Sequence, residues 1–402
     1  MLSPHLNPRP RDRLTRTTMK ILYHHRTRSK DGQYVHIEEM IEALRSLGHE
    51  VIVVAPAMAE KTKFGDDGGA VAWLKRHMPR FIYELMELAY SLVAYRRLAR
   101  AVREHEPDCL YERYNLLQPA GVWIKRRYHL PLLLEVNAPL FAERARYDGI
   151  TLKKLACWSE RYTWRNADAV LPVTRVLGDM VHEAGVPHGR ITVIPNGINI
   201  RRFGTNPDTG AAKRALGLDG HFVLGFTGFV RDWHGMDKVI DFIAHSGARE
   251  NCHLLVVGDG PARQAIEQQA QRLGVADRVT FTGVVQRDDV AHHVAAFDIA
   301  LQPAVVAYAS PLKLFEYLAL GRAIIAPAQP NICEVLSDGE NALLFDPQDE
   351  SGLVKAIQRL MADGELRQRL ARNAAETITR QGLTWVGNAQ RVTALAERLT
   401  GK

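Results

Sequence analysis

Lys313 and Glu316 stand three residues apart in "YASPLKLFEYLALGRAIIAP", behind a Ser-Pro pair and ahead of a second apolar run. Ser310 suits an N-cap and Pro311 a first helical position, so the pattern predicts a helix from Leu312 to Leu320, stopped by Gly321. Its free N–H groups follow the strand-like "DIALQP" and would face a cleft, where they favour phosphate. A lysine in the first turn opposes a helix dipole worth about 0.3 to 1 kcal/mol. An ordinary surface i,i+3 ion pair returns roughly a few tenths of that unit. Lys313 therefore calls for an anion. Glu316, one turn on, can accept from sugar hydroxyls, and the two together suit a nucleotide's diphosphate and ribose.

"FTGFVRDWHGMDKVI" repeats the geometry: a strand ends at Gly228, a loop carries Arg231 and His234, and Gly235 opens a helix. The Arg231 fork would bind oxygens two at a time from the other side of a diphosphate, its alternative being a solvated loop arginine. "VVGDGPAR" reads as a tight strand-to-helix turn at Gly258 and Gly260. In the first half, Gly32 lies between a strand and a helix, where backbone can approach a ligand closely. The pattern is not GxGxxG, which argues against a dinucleotide. "LLLEVNAPLFAER" ends a strand with Glu135 and Asn137 at the cleft edge, though Glu135 also reads as a strand-end residue with no further role. The chain has no Asp-x-Asp pair and no histidines at metal-ligand spacing, so no metal is expected. Basic groups and helix N-termini would have to neutralise a leaving diphosphate.

To hold such groups, strands and helices alternate along the chain. The strand candidates are "KILYHH", "HEVIVVAP", "DCLYER", "PLLLEVNAP", "DAVLPVT" and "ITVIPN", then "HFVLGFTG", "HLLVVGDG", "RVTFTG", "DIALQP", "RAIIAP" and "NALLF". Short apolar strands separated by helices mark parallel sheets covered on both faces. A chain of 402 residues exceeds one ordinary core. The turn at Asn196-Gly197 and the polar stretch after it place a linker near residues 197 to 206. The expected fold is α/β: two doubly wound, Rossmann-like domains, 19–198 and 199–382, facing a central cleft. A TIM barrel is disfavoured by the mid-chain linker. Residues 383–402 form a last helix that either returns to the first domain or finishes the second.

Composition narrows the class. Apolar residues make up 46% and charged residues 24%, as in soluble globular proteins, and no run nears the roughly 18 to 20 apolar residues of a spanning helix. Four scattered cysteines without a CxxC point to a reducing cytoplasm. The net charge of +7 is uneven. Residues 1–18 hold Arg9, Arg11, Arg13 and Arg16 but no apolar h-region, which reads as a disordered leader rather than a secretory signal. A helix from near Pro79 places Phe81, Ile82, Leu85, Leu88, Ala89, Leu92 and Val93 on one stripe. Lys75, Arg76, Arg80, Arg96, Arg97, Arg100 and Arg103 flank it. The stripe either packs on the first sheet or, with residues near Trp73, meets anionic lipid.

The ordered set "DGQYVHIEEMIEALRSLGHEVIVVAP", "ITVIPNGIN", "LGFTGFVRDWHG", "LLVVGDGP", "VTFTGVV" and "SPLKLFEYLALGRAIIA" resembles the retaining glycosyltransferases of family 4, which have the GT-B fold. The resemblance makes 19–198 the acceptor-side domain and 199–382 the nucleotide-sugar domain. It assigns Glu316 to the donor ribose as the second of two glutamates separated by seven residues. Tyr308 stands where the first, which touches the donor sugar, would be. Arg231 and Lys313 take the diphosphate with the backbone of Ser310, Pro311 and Leu312. His234 replaces a lysine, Val284 falls at the nucleobase pocket, and Asn137 stands where many members have histidine. The leaving phosphate itself takes the acceptor's proton in such enzymes. The implied protein is a hexosyltransferase-like enzyme of polysaccharide biosynthesis, cytoplasmic or peripheral at the inner face of the cell membrane. It would use a nucleoside diphosphate-sugar and a glycan or lipid-linked acceptor, with no cofactor and no nucleic acid. The alternatives are a nucleotide-sugar epimerase on the same fold and a non-catalytic binding protein.

Overall fold

The computed structural model describes residues 18–27, 32–56, 78–204, 208–245 and 251–402. The expected leader, apart from Thr18, and Trp73, Lys75 and Arg76 lie outside these residues. Five parallel strands form the first sheet: β1 (Lys20–His24), β2 (Glu50–Val54), β3 (Cys109–Arg113), β4 (Leu132–Val136) and β5 (Ala169–Pro172), in the order β2-β1-β3-β4-β5. Six parallel strands form the second: β6 (Phe222–Thr227), β7 (Cys252–Val257), β8 (Val279–Phe281), β9 (Ile299–Leu301), β10 (Ala323–Pro327) and β11 (Leu343–Phe345), ordered β11-β10-β9-β6-β7-β8. Central strands such as β4 and β7 are buried at every position, because helices cover both faces of each sheet.

"ITVIPN" is not among the eleven strands. It lies beside β5, with Thr192 N donating to Val170 O and Ile194 N to Pro172 O. Pro172 and Pro195 have no N–H to return, so no ladder forms.

The segment that leaves the first domain meets the one that comes back. Ile198 N donates to Leu383 O at 3.1 Å and Trp385 N to Ile198 O at 3.3 Å. A side chain at Gly197 would lie 2.7 Å from the Thr384 carbonyl carbon, so only glycine lets the two strands of this crossing touch. Beyond it, helix Trp385–Thr400 packs on helix Gly32–Ser46, burying Trp385, Ala389, Val392 and Ala396 against Ile37, Met40 and Leu44 of the first domain. Further contacts cross between the domains. The Glu334 carboxylate accepts the Arg175 N–H at 2.8 Å, Asn196 Nδ2 donates to Ser310 O at 2.5 Å, and Glu39 meets both Arg202 (2.7 Å) and Arg287.

The reading that packs the apolar stripe of helix Arg80–His105 on the sheet holds only in part, with Leu88 meeting the first domain's core. The helix buries Glu84, Ser91, Ala94, Leu98, Ala99 and Val102, leaving Phe81, Leu85, Leu92 and Val93 exposed. Glu84 tolerates burial because its carboxylate accepts the N–H groups of Thr151 (2.8 Å) and Leu152 (2.7 Å). No helix among the described residues is long and apolar enough to cross a membrane.

Candidate active site

In the second sheet β6 and β9 are neighbours, yet the chain leaves β6 towards β7 and leaves β9 towards β10 on the opposite side. Such a reversal opens a crevice at the carboxyl ends of the two strands, where doubly wound sheets bind ligands. The two motifs singled out in the sequence follow these two strands. The Arg231–His234 loop comes after β6, and helix Leu312–Ala319 comes after β9. Tyr317 ties them together, its hydroxyl accepting from Thr227 N at 2.9 Å.

Lys313 and Glu316 form no ion pair with each other. The Lys313 ammonium instead sits 3.6 Å from the centroid of the Phe226 ring, a cation–π contact at the end of β6. Burial lowers the Lys313 pKa to about 7 and raises that of Glu316 to about 7, each shift tempered by the other's charge. Glu316 Oε2 is sealed from solvent and receives no hydrogen bond. A sealed carboxylate oxygen without a donor costs on the order of 1 to 3 kcal/mol. A ligand hydroxyl would remove that cost.

His234 lies between the two cations. Its Nδ1 accepts from Arg231 N at 3.1 Å, which leaves the proton of the neutral ring on Nε2. Burial first, then Lys313 and Arg231, push its pKa down to about 3, so the neutral ring offers one N–H donor. Arg231 is exposed, its guanidinium 5.0 Å from the centroids of both Phe229 and Trp233. The loop is fixed from behind by glycines. A side chain at Gly258 (φ +143°) would lie 2.2 Å from Gly228 O, and one at Gly260 would lie 2.1 Å from Val230 O.

Two donor-side expectations change. Ser310 does not cap the helix, because its hydroxyl accepts from Asn196 N at 3.3 Å and its carbonyl from the Asn196 side chain. Pro311 takes the N-cap position with no side-chain cap, which leaves the first N–H groups free. Leu312 turns its side chain onto the core of the first domain, so only its backbone is available to a ligand. Val284 is 55% exposed. Gly32 begins helix Gly32–Ser46.

Glu135 does not face an acceptor. It is 2% exposed, hydrogen-bonded to Tyr111 Oη (2.7 Å), Arg113 and Asn137 Nδ2 (2.5 Å), with His36 Nε2 at ion-pair distance, 3.2 Å. Against the upward push of burial, His36 and Arg113 hold its carboxyl well below the usual range. A carboxylate on a strand buried on both faces survives only with such partners. Glu135 and, through it, Asn137 hold the cleft floor in place.

Glu143 escaped the sequence reading. It lies in the first turn of helix Leu140–Tyr147, one turn before Tyr147, whose ring stacks on Trp233 of the opposite domain at 5.4 Å. Glu143 faces Tyr308 and Arg231 across the cleft. Burial raises its pKa, and its charge in turn, after burial, raises that of Tyr308. Tyr308 packs against the first domain's core, with its carbonyl accepting from Thr174 Oγ1 at 3.0 Å. The only sequence signal was a carboxylate just past the end of β4. Among the described residues no cluster of histidine, cysteine or carboxylates could hold a metal ion.

Residues 31–197 match the Glycosyl transferase 4-like domain, and residues 209–377 match Glycosyl transferases group 1. The lipopolysaccharide core biosynthesis glycosyltransferase LpsD of Rhizobium meliloti is 30% identical over 287 residues, 70% of this chain and 73% of that protein. The chain belongs to this glycosyltransferase family. Alpha-D-kanosaminyltransferase of Streptomyces kanamyceticus is 26% identical over 255 residues, 61% of this chain and 65% of that protein, just under two thirds of its length. The crystal structure of Anabaena Alr3699/HepE in complex with UDP matches with a TM-score of 0.73 at 20% identity, over 94% of this chain and 100% of that one. The fold is GT-B.

Proposed function

We propose that this chain moves a sugar from a nucleoside diphosphate-sugar to a hydroxyl of a glycan or lipid-linked acceptor, with retention at the anomeric carbon and without a metal ion. The observation that carries the reading is the sealed, donorless Glu316 Oε2 beside Lys313 at the switch point of the second sheet. Glu316 takes the ribose hydroxyls. Lys313, Arg231, the His234 Nε2–H and the uncapped N-terminus of helix Leu312–Ala319 take the charge that develops on the diphosphate.

The acceptor oxygen attacks the anomeric carbon as the bond from that carbon to the phosphate oxygen breaks. The acceptor's proton passes to the departing phosphate. No protein base is required, which agrees with Glu135 being committed to structural partners. Glu143, coming from the first domain, takes a donor-sugar hydroxyl beside Tyr308. The UDP in the HepE complex and the core-glycan role of LpsD support a nucleotide-sugar donor and a glycan acceptor. The reaction would run in the cytoplasm, with helix Arg80–His105 resting on the inner membrane face.

Incubation with a panel of UDP- and GDP-sugars, with and without EDTA, tests this reading. Release of free sugar and nucleotide, undiminished by EDTA, is the expected result. Conversion of one nucleotide-sugar into another without release would identify an epimerase. Nucleotide binding without either reaction, in the presence of glycan acceptors, would identify a non-catalytic binder.

A further inference from the structure

The reaction described above leaves unused a groove of about 620 Å³ along the outer side of helix Lys153–Asn166. Lys154, Trp158, Arg161, Tyr162 and Arg165 recur at helical spacing on that side, and Lys153 joins them at the helix start. All four cations are exposed. No acidic side chain among the described residues lines the groove.

Nearby carboxylates are committed elsewhere. Glu84 accepts the N–H groups of Thr151 and Leu152, and Glu160 turns inward to Tyr114 Oη (3.1 Å) and Phe141 N (3.0 Å). The carboxylates of Asp168 and Glu87 pair with Lys125 and Arg144. Lys153, Lys154 and Arg161 enter no ion pair among the described residues, and the two lysines also oppose the dipole of the helix they begin. Burial raises the Glu160 pKa to about 7, which further weakens negative charge beneath the groove.

Between the cations, the Trp158 and Tyr162 rings stack at 5.1 Å and 22°, with Trp158 52% exposed. Such a platform offers a flat face to the C–H face of a sugar ring while its surroundings offer only positive charge. Phe141, on the helix that carries Glu143 to the cleft, lines the groove. The groove follows Lys153–Asn166 towards the start of β5, about 20 Å at 1.5 Å per residue.

We infer that this groove binds an acidic saccharide chain, phosphorylated or carboxylated, extending from the acceptor hydroxyl in the cleft. This deepens the glycosyl-transfer reading and rests on it. Calorimetry on the full chain, with an oligogalacturonate, a phosphomannan fragment and neutral maltoheptaose, tests it. At least one acidic probe should bind, more weakly as salt rises. Its affinity should fall tenfold or more in Trp158→Ala and in the triple variant Lys153→Gln/Lys154→Gln/Arg161→Gln, while maltoheptaose should not bind. UDP should bind all forms alike, so a failure of the donor reading would show separately, as absent UDP binding. The inference is overturned if neither acidic probe binds or if the variants bind them as the wild type does. It is equally overturned if the variants lose only sedimentation with phosphatidylglycerol vesicles, which would make the groove a lipid contact.

Discussion

The Lys313 ammonium rests 3.6 Å from the centre of the Phe226 ring, a cation held by an aromatic face instead of a carboxylate. With its pKa lowered by burial to about 7, Lys313 loses its proton in the empty cleft above that pH. A bound diphosphate favours the charged form and pulls the pKa back up, so binding above neutrality takes up a proton. Calorimetry with UDP at about pH 8, in two buffers of different ionisation enthalpy, should show uptake of close to one proton per site. Affinity should weaken as pH rises further. Heats independent of the buffer would mean that Lys313 does not meet the diphosphate.

Lys313→Ala should cost about 2 to 4 kcal/mol of transition-state stabilisation, because it removes a charged donor from the developing diphosphate. Glu316→Gln should act mainly on donor binding, raising KM more than it lowers kcat. Steady-state rates with the active donor from the panel separate the two effects. Wild-type turnover in both variants would remove them from the site.

The placement of Lys313, Glu316, Arg231 and His234 after two strands of the second sheet was legible in the sequence, because strand-loop-helix junctions at glycines and prolines leave local signals. The order of apolar runs likewise implied two parallel sheets. Contacts between distant segments left no such signal. Glu135 reads like a cleft-edge acid, yet it is held by Tyr111 and Arg113 of β3 and His36 of helix Gly32–Ser46, with Asn137 just past its own strand. Ser310 has the composition of a cap, but Asn196 of the hinge competes for it. The stripe on helix Arg80–His105 looked like core from its spacing, whereas the opposite face, with Glu84 and Ser91, packs inward.

Glu143 lies within the charge field of both Tyr308 and Arg231, close to where the family's first glutamate would stand. If it holds a donor-sugar hydroxyl, Glu143→Gln should lower kcat/KM by about 1.5 to 3 kcal/mol, the range for a hydrogen bond to a charged group. UDP affinity should stay unchanged, since the proposed nucleotide site lies on the other domain. Tyr308→Glu in that background should recover part of the loss. Equal weakening of UDP and UDP-sugar binding would instead indicate a general disturbance of domain closure.

Gly258 and Gly48 both have positive φ, but their surroundings differ. A side chain at Gly48 meets nothing within 4 Å, whereas one at Gly258 would strike Gly228 O at 2.2 Å. Gly48→Ala should incur only backbone strain, about 1 to 3 kcal/mol. Gly258→Ala adds the clash and displaces the loop over Lys313, so it should lose stability and UDP affinity together. Denaturant unfolding and UDP titration of the two variants would distinguish them. Full UDP affinity in Gly258→Ala would mean that the loop is not part of the nucleotide site.

Leu85 and Leu92 are 46% and 56% exposed on helix Arg80–His105, and Arg96 and Arg97 are exposed beyond them. An amphipathic helix that turns its polar Glu84 and Ser91 inward and Leu85 and Leu92 outward gains nothing from water at those leucines. The membrane reading assigns the leucines to the acyl boundary and the arginines to anionic headgroups, at about 1 kcal/mol per arginine near the surface. The protein should sediment with phosphatidylglycerol vesicles at low salt, less at high salt, and not with phosphatidylcholine vesicles. Leu85→Gln with Leu92→Gln should reduce that binding while leaving the unfolding midpoint nearly unchanged, because neither side chain packs in the core. A wild type that ignores anionic vesicles would rule out lipid as the stripe's partner. A large loss of stability in the double variant would show that the stripe is covered within the protein.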